Sequence, residues 1–342
     1  MSPAAAVVLL GLLLLGPVVS RTIEERIEIF FLAMGLISMT LARAWRWEVV
    51  GRAARVPLWI TLAVIVADVV FGRVRGSLDR ALGWMQARIA RPLLCGGAAL
   101  AIGLLSAILT AVVAALMLTE LIELMRLAPG ARTKVAVAGC FVIGLGSALT
   151  PLGGPLSTLA ASGLGLDFGG LFAMLAPYVL PGMLACAIAA ALFAMGDDGF
   201  DAAAGAPTVV LVRESVVLAL LRGLEVYCFI AGLVLVGEAF APLAARYVPM
   251  LGHSALFWAN SVSAAMDNAT LVALEMHPMD PARAREAIVA LLVAGGMLIP
   301  GNIPNIVAAG ALRIGAAAWA KIGVPMGLAL LGIYFALLRT VG

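Results

Sequence analysis

Asp267 is the residue of this chain best suited to chemistry, because it is an acid in the middle of an apolar stretch. Its surroundings read Asn260-Ser261-Val262-Ser263-Ala264-Ala265-Met266-Asp267-Asn268-Ala269-Thr270, inside a segment bracketed by Pro249 and Pro278. An ionised carboxylate at the centre of a membrane helix costs about 2.5–3.5 kcal/mol on insertion scales, so it must face a partner or a wet cavity. Burial favours the neutral acid and a bound cation favours the carboxylate. One such group can therefore exchange a proton for a metal ion. A second reading makes Asp267 a helix cap whose oxygen accepts from nearby amides, and the two roles are compatible. Asn260, Ser263 and Asn268 would supply neutral oxygens beside it.

Two other polar stretches carry the remaining candidates. Ser147-Ala148-Leu149-Thr150-Pro151-Leu152-Gly153-Gly154-Pro155 and Pro300-Gly301-Asn302-Ile303-Pro304-Asn305 each combine two prolines with glycine. Proline removes an amide donor and glycine permits a turn, so each stretch should split its helix. Carbonyls at the end of the first fragment carry partial negative charge, which suits a cation. One such segment alone reads as a proline kink. Two of them, matching in register from Gly146 to Pro155 and from Gly295 to Pro304, point to a duplicated design.

Other matches fall in the same order. Leu105-Ser106-Ala107-Ile108-Leu109-Thr110 pairs with Val262-Ser263-Ala264-Ala265-Met266-Asp267. Earlier, Glu28 and Glu225 each precede a glycine by seven residues, Gly35 and Gly232. The chain thus reads as a first repeat over 1–195, a polar linker over 196–208 with Asp197, Asp198 and Asp201, and a second repeat over 209–342. The second repeat is expected to lack material like that at 55–90. Because Thr110 stands where the second half has Asp267, one half supplies charge and the other hydroxyls and carbonyls, including Ser106, Thr110, Ser147 and Thr150. A sodium-type site would then draw on Asp267, Asn268, Thr150 and Asn302, with Asn305 nearby; oxygen ligands suit such a hard cation.

The elements that must position these residues follow from composition. Of 342 residues 63% are hydrophobic and 12% charged, about half the charged share of a soluble domain. Spanning helices are expected at 4–19, 27–44, 55–72, 134–149, 169–195, 222–244 and 316–339, with a helix lying in the interface at 76–90. Helical hairpins that enter and leave on one side are expected at 93–126 and 251–277, and broken helices at 134–165 and 283–312. The first segment also has the apolar core of a secretory signal but no basic residue before it, so a retained helix is the expectation. Glu28 and Glu225 are proton-relay candidates or interfacial anchors beside Arg26 and Arg222. Glu120 and Glu123, close to Arg126, suit a hairpin mouth, and Asp68 has no evident partner in sequence.

Several classes are excluded. A net charge of +3 without a basic run gives no nucleic-acid surface. Cys95, Cys140, Cys186 and Cys228 are dispersed in apolar segments, and His253 and His277 are too few for a metal knuckle. No Ser–His pair, HExxH run or paired aspartates lies in a spanning segment, so an enzyme is not expected.

At these motifs the chain resembles the ArsB/NhaD ion transporter superfamily, and within it a small family designated only as cation transporters. The run from Ser263 to Thr270 resembles its hairpin motif, and Thr150-Pro151-Leu152-Gly153-Gly154-Pro155 and Pro300-Gly301-Asn302-Ile303-Pro304-Asn305 resemble its broken helices. The resemblance implies an all-α polytopic membrane protein of two inverted repeats, each with a re-entrant hairpin and a broken helix, forming a homodimer in a bacterial inner membrane. It implies elevator-like transport of a small ion, with Na+ and H+ as cargo and no cofactor. An alternative is sodium-coupled transport of an anion or dicarboxylate, for which only Arg313 lies near a break. The arginines at 73–91 with Arg126, Arg132 and Lys134 mark a cytoplasmic face. Whether 207–247 crosses once or twice decides the side from which the second hairpin enters.

Overall fold

Long apolar runs punctuated by proline and glycine leave the backbone no solution but helix, since in helices every amide bonds within its own segment. The computed structural model describes residues 3–20, 22–23, 26–55, 57–58, 61–62, 65–66, 80, 84, 88–195, 216–247, 250–261, 268–275 and 280–341. Every regular element among them is helical. In chain order these are α1 (Pro3–Val19), α2 (Ile27–Ala42), α3 (Arg91–Leu105), α4 (Ala111–Leu124), α5 (Pro129–Gly146), α6 (Pro155–Leu164) and α7 (Phe168–Met195). There follow α8 (Val216–Tyr247), α9 (His253–Ala259), α10 (Asn268–Glu275), α11 (Pro281–Gly295), a 3₁₀ turn at Ile299–Gly301, α12 (Ile303–Leu312) and α13 (Ala316–Val341). A further helical stretch occupies 47–55 and continues through the described residues up to 66.

Among the described residues three helices are long and apolar enough to cross a bilayer: Phe168–Met195, Gly223–Tyr247 and Ala316–Thr340. The 28 residues of α7 reach about 42 Å, beyond the ~30 Å hydrocarbon core. Its two faces are both apolar. Leu171, Leu175, Val179 and Met183 are buried, whereas Leu180, Leu184, Ile188 and Leu192 stand exposed in a stripe four residues apart. Such a surface suits lipid. The region 207–247 contributes one continuous helix within its described part, α8.

Helix directions follow from which residues touch. Lys134 lies over the Phe193 ring and Gly146 abuts the Met183 methyl, so α5 and α7 are antiparallel. Arg285 lies over Tyr178, while Gly296, just past the end of α11, packs on the Phe141 ring. The starts of α5 and α11 therefore lie toward opposite ends of α7, and the two helices run in opposite directions. Crosswise packing accompanies this: α4 lies on α12, and α10 lies on α6.

The α2–α8 pair behaves differently. Phe31 stacks on Phe229 at 4.8 Å, and one turn later Gly35 packs on Gly232 and Leu235. A Cβ on Gly35 would stand 2.7 Å from the Gly232 carbonyl oxygen, and one on Gly232 would overlap the Phe31 backbone. These helices run in the same direction, with backbones close enough to need glycine at both positions. The stretch up to 66 runs against α8 instead, with Tyr227 Oη donating to Ala54 O at 3.0 Å and Ile65 reaching Gly223.

Boundaries expected from sequence shift by a few residues. The 134–149 helix starts at Pro129 and ends at Gly146, where the glycine-proline run takes over. The 27–44 helix stops at Ala42 because Arg43 turns left-handed, with φ 51°. Of the interfacial 76–90 segment only Arg80, Trp84 and 88–90 are described, with the Arg88 guanidinium 4.2 Å from the Trp84 ring. The 196–208 linker and Asp68 lie outside the described residues. α1 packs on α2 and α13, burying Leu9 and Leu13.

Candidate functional site

The two interruptions are built alike and used differently. At the second, α11 ends at Gly295; Gly296 N and Met297 N bond back to Val293 O and Ala294 O, and Gly295 O is left to a side chain. Asn305, in the first turn of α12, fills that role. Its Nδ2 donates to Gly295 O at 2.7 Å and to Leu298 O at 2.8 Å. Asn268, the first residue of α10, donates its Nδ2 to Leu291 O at 2.8 Å. It nests against Gly295, where any Cβ would overlap Nδ2. That hypothetical Cβ would also stand 3.1 Å from Gly301 O, so the amide and the 3₁₀ turn share one small space.

Both carboxamides are oriented by chemistry. A carbonyl can only accept, so nitrogen must face Leu291, Gly295 and Leu298, and each Oδ1 points the other way. Asn305 is fully buried, and Asn268 nearly so. Neither Oδ1 has a hydrogen-bond partner among the described residues. A buried acceptor left unpaired costs about 1–3 kcal/mol. Two of them beside one helix end make a surface that would bind a cation, a water or a proton donor.

At the first interruption the polar groups satisfy one another. α3 and α4 fold back on each other, with Cys95 Sγ 3.2 Å from Met125 Sδ at one end and the Ser106–Thr110 turn at the other. Thr150 Oγ1 donates to Ala107 O in that turn, and Ala111 N donates to Gly153 O at 3.0 Å. Ser106 Oγ lies between Gly103 O at 2.6 Å and Ile143 O at 3.1 Å. Thr110 caps α4, accepting from Val113 N at 3.4 Å. These contacts pin the hairpin turn to the break.

The two breaks meet at Gly144. Ser147 Oγ donates to Gly144 O at 3.1 Å, and Asn302 Nδ2 would lie 3.0 Å from a Cβ on Gly144. Cys140 Sγ is 3.6 Å from Pro304 O. The sequence-derived residues therefore form three groups: Ser106, Thr110 and Thr150 at the first hairpin turn; Ser147 and Asn302 beside Gly144; Asn268 and Asn305 at the end of α11. Ser263 and Asp267 lie outside the described residues.

Asn260 stands apart from these groups. Its Nδ2 donates to Glu275 Oε2 at 2.9 Å and Ala287 O at 3.3 Å. Glu275, a 2% exposed acid at the end of α10, is the residue the sequence reading missed. The signal was present: it follows Asn268 by seven residues, two helical turns, and so shares its face. Ser157 and Thr158 were also overlooked; both donate to Gly154 O and close the first turn of α6. Glu28 and Glu225 sit on α2 and α8, half-buried and exposed respectively, and join none of the three groups. Glu123 and Arg126 are exposed near the open end of the α3–α4 hairpin.

Residues 3–341 match a family model described as a protein of unknown function, DUF1646. No curated protein matches the chain.

Proposed function

The chain belongs to this family of unknown function, DUF1646, and from that premise we propose that it is a secondary active transporter of a small cation, exchanging sodium for protons. The observation that carries the reading is the pair of buried Oδ1 atoms of Asn268 and Asn305, without a hydrogen-bond partner among the described residues, beside the end of α11. Soluble cores rarely leave such acceptors orphaned. A chain that must hold and then release a small cation needs an unfilled acceptor set.

Asp267, adjacent to Asn268, would bring the formal charge, with Ser263 from the same segment. Asn302, Ser147, Thr150, Ser106 and Thr110 would hold the two breaks and the first hairpin in register around the ion path. Asn260 is left out of the ligand set, because it meets α11 at Ala287, one turn before the Leu291 level of Asn268. No arginine or lysine stands in either interruption, and Arg313 is exposed at the far end of α12. That favours a cation over a dicarboxylate.

Two inverted repeats are supported by the opposed directions of α5 and α11 and by the crosswise packing of α4 on α12 and α10 on α6. In that arrangement the counterpart of α8 is the 47–66 stretch that runs against it, and α2, like α1, has no counterpart among the described residues of the second half. This revises the sequence match of Glu28 with Glu225, since α2 and α8 run in the same direction. The α3–α4 and α9–α10 pairs would enter from opposite faces of a bacterial inner membrane and move as an elevator within a homodimer.

The test is thermal unfolding of purified protein titrated with chlorides of monovalent and divalent cations. Sodium should raise the midpoint by RT ln(1 + [L]/Kd), and Asp267→Asn should remove both that shift and sodium-driven proton movement in proteoliposomes. A flat response to every cation refutes the assignment.

A further inference from the structure

We propose that Glu275 carries the exchanged proton, at a site distinct from the cation ligands; the inference rests on the cation-transport reading above. Glu275 is buried at 2% exposure and takes a hydrogen bond from Asn260 Nδ2 at 2.9 Å. Among the described residues no lysine, arginine or histidine lies within ion-pairing distance of it. A carboxylate buried without a contacting ion-pair partner is unfavourable, whereas the neutral acid is not. The site therefore holds a proton unless another positive charge arrives nearby.

The geometry supplies that charge. Asn268 and Glu275 are two turns apart on one face of α10, about 10 Å along its axis. Both face α11, where Asn268 reaches Leu291 O and Asn260 reaches Ala287 O one turn earlier. A cation at the Asn268 and Asn305 oxygens therefore acts on Glu275 through a low-dielectric interior. As the cation enters, the carboxyl O–H bond breaks, the proton leaves, and the cation balances the new carboxylate charge. Release of the cation reverses each step.

The proton would leave toward the open end of the α9–α10 pair, where His253 Nδ1 and Glu286 Oε2 are 3.4 Å apart and His253 is half-exposed. Of the other charged groups around α10, Arg283 attracts the Glu275 carboxylate from beyond ion-pairing distance while its guanidinium donates to Leu251 O at 2.8 Å. Arg285 lies over Tyr178, and on α8 Glu238 pairs with Arg52 at 2.5 Å. α6 has no titratable side chain.

The experiment uses Glu275→Gln in proteoliposomes with sodium as the probe. Glutamine retains an acceptor for Asn260 but cannot release a proton. The variant should keep sodium–sodium counterflow and lose sodium-driven proton movement. Retained proton movement overturns the proposal, and so does loss of both fluxes in a protein that unfolds at the wild-type temperature. If the glutamine variant does not fold, Glu275→Asp keeps the acid but withdraws it by one methylene. A shifted pH profile of exchange supports the assignment and an unchanged one overturns it. Absence of sodium counterflow in the wild type is a separate result, which removes the cation-transport reading itself.

Discussion

Gly295→Ala tests the geometry at the end of α11. The new Cβ would overlap Asn268 Nδ2 and come within 3.1 Å of Gly301 O. Asn268 is held by its bond to Leu291 O, and Gly301 lies on the buried 3₁₀ turn, so neither can yield without breaking a contact. Overpacking of this kind costs about 1–3 kcal/mol. Asn268→Ala removes an amide–carbonyl bond with a net value of about 1 kcal/mol, but also an orphaned acceptor that costs about 1–3 kcal/mol. That single change is therefore near neutral in stability. The double variant relieves the overlap, and its coupling should recover at least about 1 kcal/mol. A thiol-reactive dye reports unfolding, because Cys95, Cys140 and Cys186 are buried. Gly295→Ala should lower the midpoint by a few degrees and abolish stabilisation by sodium. Adding Asn268→Ala should restore the midpoint but not the sodium response. Additive midpoints, or a normal sodium shift in Gly295→Ala, would refute the reasoning.

Three further outcomes are expected. Thr150→Val leaves Ala107 O without its hydroxyl and should cost about 1–2 kcal/mol, while Thr150→Ser keeps the bond; loss of the sodium shift before any loss of stability would make Thr150 a ligand rather than a fastener. Gly232→Ala forces a Cβ into the Phe31 backbone and should separate α2 from α8, lowering the unfolding midpoint more than Gly11→Ala, where the space is open. Reporter fusions at Ala203 and Pro249 should read opposite sides of the membrane, because the described part of the chain between them is one helix, α8; the same side for both would contradict the inverted arrangement.

Much of this protein was legible locally. The scarcity of charge dictates apolar helices, and proline-glycine runs dictate where they stop, because a missing amide and a lost Cβ act within a few residues. Hence the interruptions at 147–154 and 296–302 were readable from sequence. Local pattern could not separate ligand from fastener. Ser106, Thr110 and Thr150 have the same oxygens as a cation site, and only packing shows Ser106 and Thr150 satisfied by the Gly103, Ile143 and Ala107 carbonyls and Thr110 by an amide of its own helix.

Sequence by itself determined the elements, their breaks and the inventory of mid-helix polar groups. Tertiary structure alone decided that Asn268 and Asn305 keep an oxygen without a partner among the described residues, since that depends on which carbonyls their amides meet across α11. It also decided that Gly35 and Gly232 face each other in a pair running the same way, which a one-dimensional repeat cannot distinguish from an inverted one. Direction and partner are properties of contacts between distant segments, and no local spacing encodes them.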